Sequence, residues 1–255
     1  MKPVAPRSVD GVIQPLGVPG NWRLAEDFSF SGRSLNQSIW HVGWFGGRVT
    51  APLSRFENDC YAAGNVTLPG DGTINLAVTA TRSRCDGVTH PYTGALVTTD
   101  PADRSSRGGF EYRYGVLQAR VYVPGDGHVL ANWPGVWTDG AHWPQDGEDD
   151  ILEGLFGQAC FHFHSPHYAR HGPGGCVSLA PGWHTFASDW QPGSVSYYYD
   201  GVHVGTVTIG VTSAPMFIII DNTVWRNTPT TTAPGTMRIA YVKIWHRATA
   251  PAAGS

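Results

Sequence analysis

Val116-Leu-Gln-Ala-Arg-Val-Tyr-Val123 sends Leu117, Ala119, Val121 and Val123 to one side and Gln118, Arg120 and Tyr122 to the other. A period of two over eight residues describes a half-buried β-strand, since successive Cβ atoms of an extended chain point to opposite faces. Working outward, residues 73–80, 194–199 and 202–209 alternate in the same way, and Asp200-Gly201 between the last two is a strong hairpin signal. Residues 216–220 (MFIII) and 237–245 read as buried strands. Gly (32 residues) and Pro (19) punctuate these runs at short intervals, and no long helical period appears. The expected fold is all-β, a two-sheet antiparallel sandwich of the jelly-roll kind. One domain over residues 22–247 is expected, behind an N-terminal extension (1–21) and before a disordered tail or linker remnant (248–255).

Composition narrows the partners. Lys plus Arg number 17 against 20 for Asp plus Glu, a formal net charge of -3. Phosphate binding needs a basic surplus, so nucleic acid is not the expected partner, and a neutral polymer fits better. Ten Trp and ten Tyr suit a partly wet interface, although β-proteins also pack aromatics in their cores. No apolar run approaches the roughly 18 residues of a membrane span. Residues 1–12 lack the apolar stretch of a signal peptide and read as a mature N-terminus behind an added methionine. A monomer is expected.

The cysteines at 60, 85, 160 and 176 match no paired Cys-x-x-Cys metal pattern. Cys60–Cys85 and Cys160–Cys176 are the favoured disulfides because both close short loops, each contributing roughly 3 kcal/mol by chain entropy. Disulfides imply a secreted protein. Four buried free thiols are the alternative.

The chemistry concentrates in Trp143-Pro-Gln-Asp-Gly-Glu148-Asp-Asp-Ile-Leu-Glu153-Gly154. Alternation sends Glu148 and Asp150 to one face and Asp149 to the other. Glu153 falls on the wrong face unless one extra residue is inserted near Ile151–Leu152, and a β-bulge does that. The strand advance is then roughly 13 Å. With side chains leaning inward by about 4 Å each, roughly 5 Å remains between the carboxyls. That is the spacing of a retaining glycosidase, in which one carboxylate attacks and the other protonates the leaving oxygen. On spacing alone, a calcium site or a solvated strand edge competes with this reading.

The sequence resembles glycoside hydrolase family 16. The family's bulged E-x-D-x-x-E pattern matches Glu148, Asp150 and Glu153. Trp133-Pro-Gly-Val-Trp137 resembles its WPAFW stretch, and residues 114–120 its YGxxEAR strand. Residues 30–40 resemble its opening F…LN…W segment, and the stretch from Trp183 to Gly201 its HTY…W…YxDG run. The similarity covers about residues 24–246. It implies a jelly roll with a concave substrate cleft and a retaining endo-β-glycanase, with β-1,3-glucan as the favoured substrate. β-Galactan or agar-type hydrolysis, transglycosylation and non-catalytic carbohydrate binding stay open. Glu148 would be the nucleophile, Glu153 the acid/base, and Asp150 the residue that orients the nucleophile.

Trp137 would form the aromatic floor beneath the sugar at the cut, with a core Trp as the alternative. Trp143, Trp225 and Trp44 are further sugar-binding candidates. Among the histidines of residues 161–167, His162 and His164 share a strand face, as two metal ligands would. The family places a sugar-contacting His here, and His164 is favoured over His162 for that role. No cofactor is implied. Four positions depart from the family. Asp149 stands where an apolar residue is usual and needs a local opening or a partner such as Arg120, and a register using Asp146 or Asp149 stays open. Ala240 replaces a common calcium-binding Asp. Gln118 replaces a Glu. Asp221 replaces an Asn and would alter substrate contacts.

Overall fold

The computed structural model of the chain describes residues 8–9, 12–44, 47–102 and 108–248. Its principal strands in chain order begin with β1 (Trp22–Ser29), β2 (Asp59–Ala62), β3 (Ile74–Val78), β4 (Tyr92–Thr98) and β5 (Gly115–Val123). After them come β6 (Trp133–Gly140), β7 (Glu148–Leu155), β8 (Gln158–His164) and β9 (Gly174–Val177). The remainder are β10 (Gly182–Gln191), β11 (Ser194–Tyr199), β12 (Val202–Val207), β13 (Met216–Thr223) and β14 (Gly235–Arg247). A ten-stranded sheet runs β9-β8-β7-β6-β13-β4-β2 and ends on Val49–Thr50. An eight-stranded sheet runs β12-β11-β10-β5-β14-β3 and ends on Val66–Thr67, with β1 also paired to β14. Pairing is antiparallel except that β4 runs parallel to β2. Between those two strands the chain crosses to the other sheet to make β3, which returns it in the same direction.

The two sheets close over one core. Leu117, Ala119, Val121 and Val123 of β5 meet Ile151, Phe163, Ile218 and Ile220 of the ten-stranded sheet. Each such side chain contributes roughly 1.5–3 kcal/mol on burial. β13 is buried throughout because both of its faces have work: Ile218 and Ile220 point into the sandwich, whereas Phe217 and Ile219 pack on the far side with Tyr61, Leu96 and Trp137. The Asp200-Gly201 hairpin forms as expected, with φ of 49° and 80° at its two central residues.

β5 departs from the half-buried reading. Gln118 and Arg120 are buried on its polar side. Gln118 is covered by residues 12–21, which lie against this sheet rather than trailing away from it. The Leu16 N–H donates to Gln118 Oε1, Trp245 Nε1 donates to the Ile13 carbonyl, and Val18 packs with Trp22, Val116 and Trp245. Arg120 lies under Trp183, with its guanidinium carbon 5.8 Å from the ring centroid. Of the tail expected at 248–255, only Ala248 is among the described residues. Both disulfides, Cys60–Cys85 and Cys160–Cys176, are present as expected.

Asp149 projects between the sheets and is 1% exposed, so it sits at no opening. Arg120 is not its partner: that guanidinium lies 3.6 Å from Asp200 and donates to Thr185. Instead the Tyr197 hydroxyl, reaching across from β11, donates to Asp149 Oδ1 at 2.7 Å. Desolvation pushes the Asp149 carboxyl up to about 7, with hydrogen bonds from Tyr197 and Ser188 working against the rise. A raised acid binds its proton more tightly folded than unfolded, so its contribution is full below about pH 4 and is lost as pH climbs to about 7. Asp149→Asn, which cannot ionise, should therefore gain stability relative to wild type between pH 5 and 8, by up to a few kcal/mol. Urea unfolding at the two pH values checks this, and a difference that is constant with pH would refute it.

Candidate active site

β7 is where the fold makes its site. A two-residue turn at Phe156-Gly157 fixes the β7–β8 hairpin, setting Leu155 opposite Gln158 and Glu153 opposite Cys160. The register then shifts between Glu153 and Asp150, which lies opposite His162, with Glu148 opposite His164. Against β6, Leu152 faces Val136 and Asp150 faces Trp137, leaving Ile151 as the inserted residue. Ile151 and Leu152 can thus both bury in the core while Glu148, Asp150 and Glu153 stay on the opposite face. The bulge expected from the spacing is present.

The three acids are held by two histidines. His164 Nε2 lies 3.2 Å from Asp150 Oδ2 and 3.9 Å from Glu148 Oε1, while its Nδ1 faces the Tyr168 and Ala169 carbonyls at 3.2 and 3.3 Å. A ring with acceptors on both nitrogens is best satisfied as the imidazolium. Burial opposes that charge, but the Asp150 hydrogen bond and the surrounding carboxylates outweigh it and push His164 up to about 10. Glu148 is raised by desolvation, the His164 charge pulls it back toward ionisation, and Glu153 adds to the rise. Asp150, 6% exposed, is raised well above the carboxylate range by desolvation and then by Glu148 and Glu153. His162 Nδ1 lies 2.7 Å from Glu153 Oε2.

Further acids surround this group. Asp139 lies directly across from Glu148 and is pushed up to about 8 by desolvation and the Glu148 charge. Asp221 is buried, and its Oδ1 accepts from Trp137 Nε1 at 2.7 Å. Desolvation takes Asp221 to about 7, and Glu57 and Asp59 behind it to about 8 and about 6. Protonation lets such acids share a small volume.

The other expected residues divide into two groups. Trp143, 48% exposed, hydrogen-bonds Glu148, and Trp137 and Trp44 pack on the same cluster of Tyr61, Leu96, Phe217 and Ile219. Trp225 stands at the other end, its ring 6.2 Å from Trp133 and 4.9 Å from the exposed Phe156. Asp146 is turned to His142 and takes no part in the carboxylate row. Sequence reading missed the closeness of His162 to Glu153, the Asp139–Glu148 pair and the Glu57–Asp59–Asp221 group. Within this row, two sets of the described side chains have the donor types and closeness that a metal ion takes: Glu148, Asp150 and His164, and Asp150, Glu153 and His162.

The fold is thus a jelly-roll sandwich that carries a bulged carboxylate row beside Trp137. The chain is similar to solved structures of that kind. The laminarinase catalytic domain of Thermotoga maritima superposes with a TM-score of 0.73 at 22% identity, over 90% of this chain and all of that one. The endo-β-1,3-glucanase of Pyrococcus furiosus gives 0.75 at 22%, over 92% and 99%. SCLam, a non-specific endo-β-1,3(4)-glucanase from family GH16, gives 0.75 at 20%, over 92% and 95%. The chain therefore has the laminarinase-type jelly roll. In sequence it is 28% identical to a β-glucanase of Paenibacillus macerans over 203 residues, 76% of this chain and 74% of that protein. It is 33% identical to a probable endo-1,3(4)-β-glucanase of Aspergillus niger over 105 residues, 12% of that protein. No protein-family model matches the chain.

Trp137→Phe keeps the ring face but removes the Nε1–H, leaving buried Asp221 without that donor. It should cost about 1–3 kcal/mol of unfolding free energy. Chemical denaturation measures the loss, and Trp137→Phe/Asp221→Leu should recover most of it.

Proposed function

We propose that this protein is a retaining endo-β-1,3-glucanase of the glycoside hydrolase family 16 type. The observation that carries the reading is the bulge at Ile151, which sets Glu148 and Glu153 on one open face with Asp150 between them. Glu148 attacks the anomeric carbon as the bond to the leaving oxygen breaks, and that oxygen takes the proton of Glu153. Water then attacks the same carbon as its bond to Glu148 breaks and frees that carboxylate, and the water's proton passes to Glu153, so configuration is retained. The His164 imidazolium favours an ionised Glu148, and Asp150 fixes the ring between the two. Trp137 supplies the stacking face, held edge-on by Asp221.

Aromatic rings at both ends of the row, Trp143 by Glu148 and Trp133 with Trp225 beyond Glu153, support an extended chain bound across the site and cut internally. Among the described residues, the Arg and Lys ion pairs go to Asp200, Asp71, Asp27 and Asp189, none of them in the site. A face rich in carboxylates without such cations suits a neutral glucan better than a sulfated galactan. The disulfides accord with action outside the cell.

Purified protein should release oligosaccharides from laminarin, and from lichenan more slowly, while leaving carrageenan intact. NMR of the first products should show the β-anomer. Glu148→Gln should lower kcat by about 10³-fold or more with the fold intact. Near-wild-type turnover in that variant would end the reading.

A further inference from the structure

His162 sits where the expected sugar-contacting residue does not. Its Nδ1 is 2.7 Å from Glu153 Oε2, closer than any contact His164 makes with the acids. The ring is also held from behind. A Cβ on Gly174, the residue opposite it on β9, would come within 2.6 Å of His162 Cδ2, so the ring lies against bare backbone there. The Cys160–Cys176 disulfide joins β8 to β9 at the next same-face pair along, and the Tyr197 hydroxyl that serves Asp149 also lies 3.1 Å from the His162 carbonyl oxygen. Little freedom is left for the imidazole.

We infer that His162 is a positioning residue for the acid step, one that fixes which oxygen of Glu153 carries the proton. The inference rests on Glu153 being the acid/base. A protonated carboxyl has one O–H and two oxygens on which to carry it. With Nδ1–H donating to Oε2, the proton resides on Oε1, the oxygen free to meet the glycosidic oxygen. Without His162 the proton is shared between the two oxygens, and one arrangement points away from the bond. When the glycosidic bond breaks, its electron pair stays on the leaving oxygen, which takes the proton from Oε1. Glu153 is left as a carboxylate, and the Nδ1–H bond to Oε2 strengthens as that charge develops. The return transfer from water to Oε1 is guided in the same way.

Two substrates that differ in their need for the proton provide the test. Laminarin has an alkoxide leaving group that must be protonated, whereas 2,4-dinitrophenyl β-laminaribioside expels a stable phenolate. In kcat/KM, which reports the step that breaks this bond, His162→Ala should lose about tenfold or more on laminarin, a part of the 10²–10⁴-fold that general acids supply. On the aryl glycoside the loss should stay within about twofold. On laminarin the loss should fall in kcat with KM little changed. His162→Asn, whose Nδ2 occupies the place of Nδ1, should recover most of it. Equal losses on the two substrates, or none on laminarin, would overturn the inference. Glu153→Ala separates the two levels of the argument. It should lose laminarin cleavage yet consume the aryl glycoside in azide to give the β-glycosyl azide. If it still cleaves laminarin, the acid/base assignment itself is wrong and the role of His162 goes with it.

Discussion

The inserted residue at Ile151 governs the rest of this structure. A regular strand would put Glu148 and Glu153 on opposite faces, one in the core and one in water, and no chemistry could join them. The insertion is stable because it buries two consecutive apolar side chains, Ile151 and Leu152, with no exposure at either. The Tyr199 hydroxyl donates to the Ile151 carbonyl at 3.1 Å, so a tyrosine from the other sheet binds the backbone where the ladder is interrupted. Packing and hydrogen bonding thus compensate for lost ladder pairing, and the gain is a face carrying three acids.

Such a face would repel itself without help. The help is distributed: an imidazolium at His164, a second imidazole on Glu153, an indole N–H on Asp221, and burial deep enough that several acids hold protons well above their ordinary range. Asp149 belongs to the same economy from the inner side. It is the one acid of β7 that faces the core, and Tyr197 makes its burial tolerable. Tyr197 also binds the carbonyl of His162, so a single phenol touches the strand that bears the acids and the strand that bears the histidines.

How much of this was legible in the sequence follows from the range of each interaction. Period-two alternation marked β5, β11 and β12, and Asp200-Gly201 marked their hairpin, since those signals are local. The five-residue step from Glu148 to Glu153 demanded a bulge, and the fold provides it. The burial of Gln118 was hidden because its cover comes from residues 12–21, about a hundred positions away. The partner of Asp149, left open between a local opening and an Arg such as Arg120, was hidden for the same reason: Tyr197 meets it only across the sandwich. His162 was underrated although alternation placed it beside His164. Counting back from the Phe156-Gly157 turn and allowing one inserted residue would have set it opposite Asp150 and next to Glu153. The two residues of that turn are hard to read from sequence because Phe is uncommon at a positive φ, here 53°.

β14 carries a consequence for how the polypeptide matures. This strand lies inside the eight-stranded sheet, with Trp245 opposite Val116 on one side and Leu24 on the other. Its residues are among the final ones of the domain, yet they bridge segments made more than a hundred and more than two hundred positions earlier. A ribosome-bound chain lacking them has an open gap where β5, β3 and β1 should be joined, with apolar edges exposed. Closure of the sandwich must therefore wait until this strand has been made, and a truncation before Gly235 would remove an interior stave rather than a fringe.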